Sequence, residues 1–316
     1  MLLTLSAATF PCLAQTLLSV PSSDPKIVRR WSLPGDPHGL ALGVDGTVYV
    51  GLAQPQAVVA IDPDRGTIRK RVVLDSAEIA ATKELVTMRV SADGSRLYIA
   101  NGSDESATIL SLPSLAVVRE ITIEGEPIRD ALPDSKGRYL FLAGHRVHVY
   151  DANGKEELRT VGGDDPTAIA ANSSQLAVLT KDRVTLYDLK DFRQIGFVAG
   201  VNGIESALFS DRTLLLLASD TLYEIAQKIT REPICLPLGS GPQIATLAAP
   251  RLLLFAERRC NSSGAFSSAE HVVTPASLYG VNAYAVAYDA KSNFLYATER
   301  AGYLTIYRVP RPAIAH

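Results

Sequence analysis

The chain has 316 residues, 47% hydrophobic and 20% charged, with 31 Lys and Arg against 33 Asp and Glu for a formal net charge of −2 at pH 7. That balance lacks the basic footprint of a nucleic-acid binder or a polybasic membrane-surface protein, so no nucleic-acid partner is expected. No apolar run approaches the roughly 18 residues of a transmembrane helix.

Residues 1–14 form an uncharged apolar run, with the small residues Cys12 and Ala14 placed as a cleavage behind Ala14 requires. The stretch resembles a secretory signal peptide, although no Lys or Arg precedes the apolar run. The other reading is an apolar tail. Export implies a periplasmic or secreted protein.

Beyond this stretch the sequence repeats. Copies of one pattern begin near His38, Val86, Ile128, Thr167, Ile204, Gln243 and Ala283, about forty residues apart. Each runs through an apolar stretch, a turn, a second apolar stretch, a hairpin and a further strand. That period, with four short strands in each copy, predicts an all-β, seven-bladed β-propeller. No linker rich in Pro, Gly or Ser interrupts residues 26–310, which read as a single domain.

The second copy is the clearest. Asp93 and Gly94 give the two-residue signal of a tight hairpin. Leu97 to Ala100 is the short apolar run of a buried strand. Ala107 to Leu112 makes the third strand, and Val117 to Ile123 alternates as an outer strand with one wet face does. This stretch resembles the YVTN-type repeat of bacterial seven-bladed propellers. The residues that match it are the turn Asp93 and Gly94, the strand Tyr98 to Asn101, Leu112 with Pro113, and the approach to the next blade, Gly125 to Pro127. Copy one matches through Asp45, Gly46, Tyr49 to Gly51 and Pro37 to Gly39; the last copy matches through Asp289, Leu295 to Thr298 and Leu304 to Tyr307. In copies four to six the turn is replaced by Asn172 to Ser174, Ser210 to Arg212 and Ala249 to Arg251. The resemblance implies a fold and leaves the function open.

Copy seven reaches Arg308 with only three strands. The missing outer strand is expected from Ile27 to Leu33, so that the N-terminal strand pairs with the C-terminal blade, closes the ring and removes an exposed edge.

In a propeller the innermost strands line a central channel. One mouth is ringed by the segments that lead into them and by the second hairpin loops. Aligning the copies puts His38, Thr87, Arg129, Asp130, Thr167, Glu205, Gln243 and Tyr284 at that mouth. Hairpin loops add Arg300, and a loop of about fifteen residues between Glu257 and His271 adds Arg258 (long loops in compact domains are often functional or disordered). A polar ring around a concave mouth is the default binding site, and solvated loop ends look the same in sequence.

His38 reads either as a metal ligand or proton carrier or as a loop histidine hydrogen-bonded to a neighbouring blade. Few residues of the channel suit a metal, so neither a metal nor a cofactor is expected. Cys235 and Cys260 form an even pair in adjacent copies, either a disulfide or two buried thiols. No G-x-S-x-G elbow, H-E-x-x-H, P-loop or G-x-G-x-x-G occurs.

These readings describe a secreted or periplasmic module whose mouth binds a small molecule or an envelope protein. The alternative is an enzyme, because seven-bladed lactonases and the propeller subunit of quinoprotein amine dehydrogenases look similar in their repeats. A lactonase-like site would use Arg129 to steady an oxyanion and His38 or Glu205 as general base.

Overall fold

The computed structural model describes residues 15–53, 56–74, 87–100, 105–163, 165–201, 204–210, 213–218, 221–226, 229–230, 234–235, 244–249, 252–257, 262–267, 272–274 and 283–309. These residues contain strands and turns and no helix. The strands form seven antiparallel sheets of four or five strands.

From its outer to its inner edge, sheet one runs Gln15–Thr16, Thr67–Val73, Gln56–Asp62, Val48–Ala53 and Pro37–Leu42. The innermost strands of the next five sheets are Thr87–Val90, Ile128–Pro133, Ala168–Ala171, Ile204–Ser210 and Ile244–Ala249. Sheet seven runs inward from Leu18–Ser19 through Ile27–Ser32, Tyr303–Arg308 and Phe294–Glu299 to Ala283–Asp289. Each innermost strand lies against the innermost strand of the next sheet, and Ala283–Asp289 lies against Pro37–Leu42.

The second strand of each sheet explains why the copies read as unbroken apolar runs. In Tyr139–Ala143 all five residues are buried. Tyr139 and Phe141 pack with Tyr98, Ile109 and Ile121 of sheet two, whereas Leu140 and Leu142 pack with Ile169, Leu176 and Val178 of sheet four. A strand buried on both faces has no reason to alternate with polar residues. The same layering repeats between sheets one and two, through Tyr49, Val58, Leu97 and Ile99, and between sheets four and five, through Leu179, Val184, Leu214 and Leu216.

Two segments far apart in the sequence pair within sheet seven. Ile27–Ser32 pairs antiparallel with Tyr303–Arg308, bringing Trp31 opposite Leu304. A short strap then crosses to the neighbouring sheet. Gln15 and Thr16 pair with Ile68 and Thr67, Leu18 and Ser19 pair with Ser32 and Trp31, and Leu17 is buried between them. Leu17 N donates to Gly66 O at 2.7 Å and Val20 N to Arg30 O at 2.8 Å.

Sheet six corrects one expectation. The segment read as a loop between Glu257 and His271 contains the strand Ser262–Ser267, which pairs along Leu252–Glu257. Its composition hid it, since Ser and Gly carry little strand propensity. Residues 1–14, Gln243, Arg258 and Cys260 lie outside the described residues, so the expected leader, the Cys235–Cys260 pair and two expected mouth residues are not described.

Candidate functional site

Three of the expected mouth residues come together where sheets seven and one meet. Pro37 opens the innermost strand of sheet one, which puts His38 on a strand and not in a loop as the sequence suggested. His38 is buried. Its Nε2 lies 3.0 Å from Asp36 Oδ2. Its ring stacks on Tyr284, the second residue of the innermost strand of sheet seven, with centroids 4.1 Å apart and planes 17° apart. Arg300, in the hairpin after Phe294–Glu299, holds its guanidinium carbon 5.2 Å from the centre of the Tyr284 ring.

The backbone beneath this stack is fixed by one hydroxyl. Thr298, fully buried, donates to His38 O at 3.2 Å and accepts from Ala285 N at 3.2 Å. Its neighbour Glu299 is turned into the sheet, accepting from the Tyr307 hydroxyl at 2.7 Å and lying 3.5 Å from Arg30 Nη2. Burial first, and then the Glu299 charge, push the Tyr307 hydroxyl above the ordinary tyrosine range. Glu299 is therefore matched by Arg30 from the N-terminal strand, and Arg300 is left exposed beside the ring. The result is a π-stacked pair with a cation on one side and the Asp36 carboxylate on the other. The set brings a charged group of each sign beside two stacked rings.

Arg129 and Asp130 are adjacent in sequence but serve different partners. Asp130 accepts from Arg89 through both oxygens, Nε to Oδ1 at 3.1 Å and Nη2 to Oδ2 at 2.9 Å. This fork joins the innermost strands of sheets two and three. The Asp130 charge raises the Arg89 guanidinium above its ordinary range against the opposing effect of burial. Arg129 instead donates from Nη2 to Gly144 O at 2.5 Å, while its own carbonyl accepts from Thr87 Oγ1 at 3.3 Å. Both side chains thus have protein partners, and the Arg89–Asp130 fork clamps two sheets.

Thr167 is exposed, its N–H bound to Leu179 O at 2.6 Å. Glu205 lies in the innermost strand of sheet five. In sheet three, the buried His148 has Nε2 at 2.8 Å from Glu126 Oε2 and Nδ1 at 3.0 Å from Glu157 Oε1, a bridge from the approach segment to the outer strand. Among the described residues no group of three His, Cys, Asp or Glu side chains is arranged to hold a metal.

Sequence reading missed Asp36 as the partner of His38, Thr298 as its support and Arg89 as the partner of Asp130. Arg89 left a signal: a charged residue inside a short apolar strand, with an acid at the corresponding strand of the next copy. Thr298 left none, because a lone threonine in a strand is ordinary.

Comparisons place the architecture among known proteins. No family model matches the chain, and no curated protein matches it in sequence. Its backbone is similar to virginiamycin B lyase from Staphylococcus aureus, with a TM-score of 0.68 at 14% identity, covering 88% of this chain and 98% of that one. A catalytically inactive His-to-Ala form of that lyase, solved with quinupristin, gives 0.71 at 13% identity over 93% and 99% of the two chains. The β-propeller domain of Cps50 (Swd1) from Myceliophteria thermophila gives 0.70 at 12% identity over 94% and 100%. The fold is a β-propeller. Neighbours as different as a lyase and Swd1 share it, so function has to be argued from the site.

Proposed function

We propose that this chain is an exported, seven-bladed β-propeller of the YVTN-like type that binds a small planar or anionic ligand where its first and last blades meet. Each sheet is read as a blade, and the ring is read as closed by the pairing of Ile27–Ser32 with Tyr303–Arg308. The single observation that carries the ligand reading is the His38–Tyr284 stack at 4.1 Å with Arg300 beside it. An aromatic face with a cation beside it suits a flat or negatively charged group, and it is built here from two distant parts of the chain, sheet one and sheet seven. Export rests on the sequence of residues 1–14.

Thermal unfolding against a panel of organic acids, sugars, lactones and aromatic anions tests the reading. A ligand at one hundred times its dissociation constant adds about 2.7 kcal/mol, a shift of a few degrees. That shift is expected to vanish in Tyr284→Ala and to weaken in Arg300→Ala. No shift across the panel would leave an envelope protein as the partner and overturn small-molecule binding at this mouth.

A second reading follows from the Asp36–His38 contact at 3.0 Å. A carboxylate-oriented imidazole suits general base catalysis, and the likeness to a lyase with a catalytically inactive His-to-Ala form points the same way. Turnover of quinupristin or of a lactone, lost in His38→Ala, would establish it; an inactive unmodified chain would remove it.

A further inference from the structure

The strap Gln15–Ser19 lies across the outer edges of sheets seven and one, and an equivalent seat recurs between sheets three and four. There, an open groove of about 560 Å³ has Arg159, Val161, Gly162, Asp191, Phe192 and Arg193 in its walls.

Register makes the two places equivalent. In sheet seven Arg29 stands opposite Ile306 and Trp31 opposite Leu304. In sheet three Arg159 stands opposite Val149 and Val161 opposite Val147. Those partners are the fourth and second residues of Tyr303–Arg308 and of Arg146–Tyr150. The facing turns match as well. Gly66 of sheet one has φ +63 and donates from N to Asp62 O at 2.9 Å. Phe192 of sheet four has φ +56 and donates from N to Asp188 O at 2.7 Å. Across the first boundary Arg29 pairs with Asp64, and across the second Arg159 Nη1 donates to Asp191 O.

At the first boundary the strap occupies this seat. Leu17 is buried, and its N–H reaches Gly66 O. The strap residues on either side pair with Thr67 and Ile68 of sheet one and with Trp31 and Ser32 of sheet seven. Arg193, Gln194, Val161 and Gly162 hold the corresponding positions at the second boundary. Glu157–Val161 and Gln194–Ala199 are outermost strands, each paired on one side only among the described residues. Such an edge accepts a further strand.

Charge separates the two seats. Arg193 replaces Thr67, so the walls of the second groove carry two arginines and one aspartate, all exposed. The strap sequence Gln-Thr-Leu-Leu-Ser has no acid to match them, which disfavours the strap of a second copy. We propose that an extended acidic segment of a partner protein docks here as an added strand. An apolar residue takes the place that Leu17 has at the first boundary, over the buried Val161 and Phe192, and carboxylates reach Arg159 and Arg193.

The test uses the full chain and three labelled peptides followed by fluorescence anisotropy. One is Gln-Glu-Leu-Leu-Ser-Glu, the second has lysine for both glutamates, and the third is the strap sequence itself. The glutamate peptide is expected to bind saturably and roughly tenfold more tightly than the lysine peptide, as two exposed charge pairs allow. In a double variant, Arg159→Glu with Arg193→Glu, that order is expected to reverse, which loss of structure alone would not produce. Hydrogen–deuterium exchange of the unmodified chain is expected to show peptide-induced protection in residues 157–162 and 192–196, a readout that does not depend on the variant folding. No saturable binding, equal binding of the two charged peptides, or protection elsewhere would overturn the proposal. Tighter binding of the strap sequence would overturn it in favour of a second copy.

Discussion

Thr298 Oγ1 donates to His38 O at 3.2 Å, joining two strands whose residues stand at opposite ends of the sequence. The same oxygen accepts from Ala285 N, beside the Tyr284 that stacks on His38. One buried hydroxyl thus sets the spacing of the two strands that carry the stack. Replacing it by Thr298→Val keeps the shape and strands a carbonyl and an N–H. We expect a loss of about 1–3 kcal/mol in urea unfolding, with weaker ligand-induced stabilisation at the mouth. Unchanged stability would show that the hydroxyl is dispensable to the join.

Gly66 and Trp31 fit together across the same boundary. A Cβ on Gly66 would stand 2.5 Å from the Trp31 ring, and Gly66 has φ +63. The indole is held in place by its Nε1, which donates to Pro63 O at 3.0 Å. Gly66→Ala therefore meets both a clash and a left-handed backbone, together costing about 2–3 kcal/mol. Gly46 has φ +82 and open space around its Cβ position, so Gly46→Ala should cost only about 1 kcal/mol. Equal losses for the two variants would mean that Trp31 yields without strain.

Removing residues up to Leu33 deletes both the strap and the strand Ile27–Ser32. It uncovers the edge of Tyr303–Arg308 and exposes the core shared by sheets one and seven, including Leu304 and Ile306. The expected outcome is a single large drop in melting temperature for the whole domain. A melting temperature equal to that of the intact chain would contradict closure through this strand.

Asp93 supplies a pH-dependent contribution. The Ser91 hydroxyl, then the backbone and hydroxyl of Ser95, hold its carboxyl down to about 2, against a usual value of 3.8. A carboxyl depressed by folding stabilises the native state above its unfolded pKa, and the contribution fades as pH falls through the folded one. Asp93→Asn should thus be less stable than the parent at pH 7, with the gap closing between about pH 4 and pH 2. Because this carboxylate is exposed to solvent, the gap is expected to be small. A gap that stays constant with pH would assign the effect to turn geometry and not to charge.

The sequence carried the layout of the strands well, because the physics behind it is local. Leu97 to Ala100 and Tyr139 to Ala143 are apolar on every residue since neighbouring sheets cover both faces, and Asp–Gly turns mark where strands reverse. Composition misled where local preference and tertiary pairing disagree, as in Ser262–Ser267, which forms a strand because Leu252–Glu257 offers it an edge. The strap at Gln15–Ser19 was invisible for a related reason, since two-residue strands have no periodicity to read. At the mouth, the alignment chose His38, Tyr284 and Arg300 by position in the copy. That they stack and share a ring depends on how sheets one and seven meet, which no single copy encodes. The same limit hid the Arg89–Asp130 fork, whose members look like two separate polar residues until their sheets are side by side.

Hydrogen–deuterium exchange with and without the most stabilising compound of the ligand panel is the most direct test of where this propeller works. Protection is expected to concentrate in residues 36–40, 283–286 and 298–303, the segments that build the His38, Tyr284 and Arg300 group, and to disappear in Tyr284→Ala. Protection confined instead to the outer strands, or to the turns around Asp93 and Asp134, would contradict the assignment of the mouth as the functional site.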